Sequence, residues 1–170
     1  MKPTRLDYCQ YLLTTQINYT MTNHANHHET FSHDAINRYL KNDTITTDDI
    51  WNNIKKDIVQ SKEGCLIFDD TVIDKNHSSE IELVKRQYSG NVHGLIKGIG
   101  LVNCIYVNPK TEQYWIIDYR IYDAAGDGKT KLQHAKEMRI DAVKKSASPL
   151  LRCLWTLGMP PKTLCCTSNR

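Results

Sequence analysis

The chain has 170 residues, a net charge of +3, 40% hydrophobic and 24% charged residues, and a mean hydropathy of −0.52. That is room for one domain, or one domain and a small companion, and it excludes a collagen-like rod, a coiled-coil rod and a wholly disordered chain. No run reaches the roughly 18 apolar residues of a membrane span, and residues 1–7 have no apolar stretch followed by a small-residue cleavage site. A cytoplasmic protein is expected, with its six cysteines, none in a C-x-x-C pair, as free thiols.

Residues 1–61 read as helical. Ser32 is an N-cap, and Ala35, Ile36, Tyr39 and Leu40 then fall on one helical face. A second cap at Thr46-Thr47 has acidic residues in the first turn, followed by the stripe Ile50, Trp51, Ile54, Ile58 and Val59. Two short helices joined by a polar turn fit either a DNA-reading helix-turn-helix or a small helical bundle. From Cys65 the period changes. Residues 65–73 are a short apolar run read as a buried strand. Residues 94–107 are a longer strand whose glycines permit a bulge or a close neighbour. After an Asn108-Pro109 turn, residues 114–122 form a third strand. A polar loop over residues 123–128 leads into a helix over 129–145, with Leu132, Ala135, Met138, Ile140 and Val143 as its apolar positions. Three consecutive strands followed by a helix predict an antiparallel sheet entering an α/β layer.

Few residues carry chemical promise. Asp69 and Asp70 end a strongly apolar strand, where neighbours point to opposite faces. Either the pair caps a turn before Thr71, or one carboxylate looks into a site where Mg²⁺ would find hard oxygen ligands. His24, His27 and His28 lie close together but lack Cys or carboxylate partners at zinc-like intervals, so they read as solvated. Gly126-Asp127-Gly128-Lys129-Thr130 resembles the end of a phosphate loop. The upstream glycine is missing, so it reads as a surface turn entering a helix, with no nucleotide cofactor.

Three blocks together, residues 68–75, 81–91 and 97–102, resemble the DDE transposases of bacterial insertion sequences, in the group named after insertion sequence four. So does Ile117-Asp118-Tyr119-Arg120-Ile121-Tyr122-Asp123 with Gly126-Asp127-Gly128-Lys129-Thr130-Lys131. The resemblance spans roughly residues 10–143. It implies a ribonuclease-H-like catalytic fold in which two Asp and one Glu hold two Mg²⁺ ions for attack on a phosphodiester. The family's first Asp stands directly before a Thr or Ser, which maps it onto Asp70, with Asp69 as the alternate. Asp70 is then the expected catalytic residue and metal ligand. The N-terminal helices become an expected binding region for DNA, the transposon ends. Full-length transposase is a further expected partner, and no membrane is.

The chain departs from the family after Val143, because the block bearing the second Asp and the later Glu are absent. Residues 144–170 hold five Lys or Arg and none of the 19 acidic residues, so they carry +5 and the rest of the chain −2. Such a break marks a linker, a basic tail or a change of reading frame. Trp155-Thr156 must be encoded TGG-ACN; read one nucleotide back, this contains GAC, which is Asp alone. Allowed codons for Leu154 to Lys162 then spell Met-Asp-Thr-Trp-Tyr-Ala-Ser-Lys, the missing block. The expected organisation is α/β: a helical region over 1–61, a partial ribonuclease-H-like domain of three antiparallel strands and a helix over 62–143, and an irregular out-of-frame tail over 144–170. One catalytic carboxylate of three holds Mg²⁺ weakly, so the expectation is an inactive transposase fragment. The alternative is a non-catalytic DNA-binding regulator of transposition.

Overall fold

The computed structural model of the chain describes residues 2–15, 19–28, 30–76 and 81–146, and the backbone of 152–155. The chain divides into two compact units, Met1–Thr46 and Thr47–Arg170.

The first unit holds α1 (Arg5–Thr14), α2 (Met21–His27) and α3 (His33–Asn42). Each starts at a hydroxyl cap, Thr4, Thr20 or Ser32, whose side chain accepts a backbone N–H that the helix leaves unpaired. At Thr4 the cap is reciprocal, with Asp7 reaching back to the Thr4 N–H. Tyr11, His24, Phe31 and Ile36 are buried. His24 stacks on Tyr11 at 4.2 Å between ring centroids and meets Phe31 edge-on at 6.3 Å. The expectation of solvated histidines therefore fails at His24. Its ring packs as an aromatic, and burial holds its pKa below the usual imidazole value. His27 and His28 keep local partners, the Asn23 carbonyl and the Thr30 hydroxyl.

The second unit begins with α4 (Thr47–Ile54), not at residue 62. Trp51, Ile54 and the following Ile58 pack against the sheet's core, which makes α4 part of this unit. α3 and α4, the pair read as a possible helix-turn-helix, fall in different compact units.

The sheet contains β1 (Cys65–Asp74), β2 (Lys85–Ser89), β3 (Gly94–Asn108), β4 (Gln113–Tyr122) and β5 (Arg152–Trp155), with α5 (Lys131–Ser146) before the last strand. β3 is the spine. β1 lies antiparallel along one edge from Val107 back to Gly98, and β2 and β4 share the other edge in tandem. β5 lies parallel to β1, with Cys65 opposite Arg152 and Phe68 opposite Trp155. Three antiparallel strands and a helix match the expectation. Two strands do not: β2 was not anticipated, and Arg152–Trp155 form a strand where an irregular tail was expected. An unpaired β1 edge is a template for any apolar segment the chain delivers to it. The remainder of 144–170 beyond Ser146 and outside β5 is not among the described residues.

Alternation along the strands sets the core. Leu66 and Phe68 of β1, and Val102, Cys104 and Tyr106 of β3, are buried together beneath Ala135, Met138 and Ala142 of α5. Leu132 and Ile140, expected in the apolar face of α5, are 39% and 50% exposed; His134 takes an inward position instead. The glycines of β3 do permit close neighbours. A Cβ on Gly98 would run into the Ile73 carbonyl, and one on Gly100 into the Gln87 amide. The β-bulge lies elsewhere, between Cys104 and Ile105.

Candidate functional site

β1 continues through both carboxylates to Asp74, so Asp69 and Asp70 are mid-strand residues and the turn-capping reading falls away. Opposite partners place them. Asp69 stands across from Asn103 on one face, and Asp70 from Val102 on the helix-covered face. Val102 in turn faces Arg120 of β4, and Cys104 faces Asp118. Asp70, Arg120 and Asp118 therefore share the face under α5.

Asp70 Oδ2 accepts a hydrogen bond from Lys131 Nζ at 2.6 Å, with 20% and 23% of the two side chains exposed. Lys131 Nζ also lies 5.3 Å from the Tyr122 ring centroid, a cation–π distance. Lys131 is the first residue of α5, where the helix dipole disfavours a cation, so Asp70 offsets that cost and ties β1 to the start of the helix. Further along, the Arg120 guanidinium bridges Asp118 and Asp141, donating to each at 3.1 Å. Asp118 is 4% exposed. Burial raises its carboxyl pKa, and the adjacent Arg120 charge only partly opposes that.

The loop between β4 and α5 is a surface turn into a helix, as expected. Gly128 takes φ +69°, which glycine tolerates, and Thr130 exchanges hydrogen bonds with Gln133 as a helix cap. Its charges are paired as well. Lys85 bonds Asp123 and Lys129 bonds Glu137, each lowering its partner's pKa, and the buried His134 Nε2 lies 3.1 Å from Asp127 Oδ2.

The expected Mg²⁺ ligand, Asp70, is engaged by the Lys131 ammonium group in this structure. No cluster of three His, Cys, Asp or Glu side chains comes together among the described residues. Opposite charges instead neutralise one another in pairs along the face, which stabilises the packing of α5 on the sheet. Sequence reasoning missed Lys131 and the Asp118–Arg120–Asp141 bridge. The available signal for the bridge was a carboxylate and a guanidinium two residues apart inside the apolar run of β4.

Among the described residues no helix is long and apolar enough to cross a membrane. No protein-family model, curated protein or solved structure matches the chain.

Proposed function

We propose that the chain is a truncated, frameshifted DDE transposase of the insertion-sequence-four-like group, a ribonuclease-H-like domain cut between its first and second catalytic Asp, and inactive alone. The observation that carries the reading joins the genetic code to the fold. The obligatory GAC triplet straddles Trp155 and Thr156, directly after the strand that runs parallel beside β1, the strand bearing Asp69 and Asp70. In a chain read one nucleotide back, an aspartate follows β5 next to the end of β1 that carries Asp70. The order of elements supports the same reading: four antiparallel strands, a crossover helix, and a strand parallel to the first. Ile73, Ile116 and Ile121, on the face away from α5, are 42%, 51% and 43% exposed, as in a domain missing part of its cover.

In this chain Asp70 is held by Lys131 and no group of three metal-ligating side chains forms around it among the described residues, so neither cleavage nor strand transfer is expected. The deciding experiment is the nucleotide sequence through codons 140–170 and several hundred bases beyond. An open −1 frame encoding Asp-Thr-Trp-Tyr and a later Glu-bearing helix is expected; its absence overturns the proposal. With that frame restored, Asp70→Asn abolishes cleavage of the element's ends and leaves DNA binding near wild type, whereas Asp69→Asn is milder. Equal cleavage by the restored chain and its Asp70→Asn variant removes Asp70 from the catalytic role.

A further inference from the structure

On the sheet face away from α5, three cations stand in line across three neighbouring segments. Arg86 of β2 is directly opposite Lys97 of β3. Lys75, one residue past β1, donates its backbone N–H to the Lys97 carbonyl at 2.9 Å and so stands opposite Lys97 on the other side. Like charges placed directly across a sheet destabilise it, and none of the three has a carboxylate partner among the described residues. Nearby acids are engaged elsewhere: Asp74 accepts from Asn76, and Asp123 pairs with Lys85. The next pair on this face, Tyr88 and Leu95, is 59% and 65% exposed. Strands lie about 4.8 Å apart, so the row runs about 10 Å. Three cations over that span, on long flexible side chains, reach successive phosphates of one DNA strand.

We propose that Lys75, Lys97 and Arg86 form a phosphate-binding row that tracks a DNA backbone, with Tyr88 and Leu95 as the apolar shoulder beside it. A row of like charges with no carboxylate partner among the described residues costs stability in the free chain, and a polyanion removes that cost. DNA, rather than another polyanion, rests on the functional reading above; the row itself rests only on register and charge. Contacts are to phosphates, so binding is independent of sequence.

The test uses the full 170-residue chain, a 20-base-pair duplex of arbitrary sequence, and the triple variant Lys75→Ala, Arg86→Ala, Lys97→Ala. The charge-matched control is Lys62→Ala, Lys110→Ala, Lys136→Ala. Affinity is measured from 50 to 200 mM salt. The row variant is expected to bind at least tenfold more weakly at 50 mM salt. Its log–log salt slope should be shallower by about 3, roughly one per lost phosphate contact, and the control slope should match wild type. Because the substitutions relieve repulsion, the row variant melts no lower than wild type, which separates lost binding from lost fold. A slope equal to the control's overturns the row and leaves the transposase reading standing. No duplex binding by wild type, or binding to vesicles of anionic phospholipid in place of duplex, also overturns the row. The transposase reading then still depends on the downstream nucleotide sequence alone.

Discussion

The two faces of the sheet are made from the same strands and treat charge in opposite ways. Under α5, Leu66, Phe68, Val102, Cys104 and Tyr106 are buried, and every charge described beside them, Asp70, Lys131, Asp118, Arg120 and Asp141, has an opposite partner. On the other face Ile73, Ile116 and Ile121 reach solvent, and Lys75, Lys97 and Arg86 stand in line without a carboxylate partner among the described residues. Where water is excluded an unpaired charge is expensive, so charges come in pairs. Where water is present like charges are tolerated, at a small cost. The covered face therefore carries the stability of this unit, and the open face carries its capacity to bind.

The largest test of that contrast is a pair of truncations. Phe68→Ala, at a side chain 1% exposed, should cost about 3–5 kcal/mol. Ile121→Ala, at a side chain 43% exposed on the open face, should cost about 1 kcal/mol or less. Denaturant melts of the two variants check this, and similar losses would erase the distinction between the faces.

A double-mutant cycle on Asp70→Asn and Lys131→Gln comes next. The charged hydrogen bond at 2.6 Å, about four-fifths shielded on both sides, should give a coupling of about 1–2 kcal/mol. Additive effects would mean that the pair does not hold β1 to α5.

Asp118 gives a pH signature. Its carboxyl binds a proton more tightly in the folded than in the unfolded chain, because burial raises its pKa above 3.8. Its favourable contribution is therefore complete below that value and is lost as pH rises through the folded pKa. Melts across that range should show wild type losing stability relative to Asp118→Asn as pH increases. A difference that stays flat, or slopes the other way, contradicts the burial argument.

The smallest effect belongs to the open face. Lys97→Thr removes a like-charge opposition to Arg86 and should raise stability by about 0.2–0.5 kcal/mol. A clear loss would show that Lys97 has a favourable partner.

Much of this architecture is legible in the amino-acid sequence because local rules govern it. The cap at Ser32, the helix start at Thr46-Thr47, the strands beginning at Cys65 and Gly94, and the helix after Lys129 follow from capping chemistry and hydrophobic period. Candidate Asp70 was legible as a carboxylate in an apolar run. Tertiary structure decided what those elements touch. α4 joined the sheet because Trp51, Ile54 and Ile58 needed apolar surface, which no cap encodes. β2 escaped notice because Lys85, Arg86 and Gln87 give no apolar alternation; pairing with Gly94–Gly98 makes the strand. His24 reads as polar in the chain, but Tyr11, Tyr8 and Phe31 assemble around it only on folding. Asp70 meets Lys131, 61 residues away, because strand register and the start of α5 bring them to one place. Local propensity is written in neighbours along the chain. Partnership between distant charges depends on register, and register is settled only when the core closes.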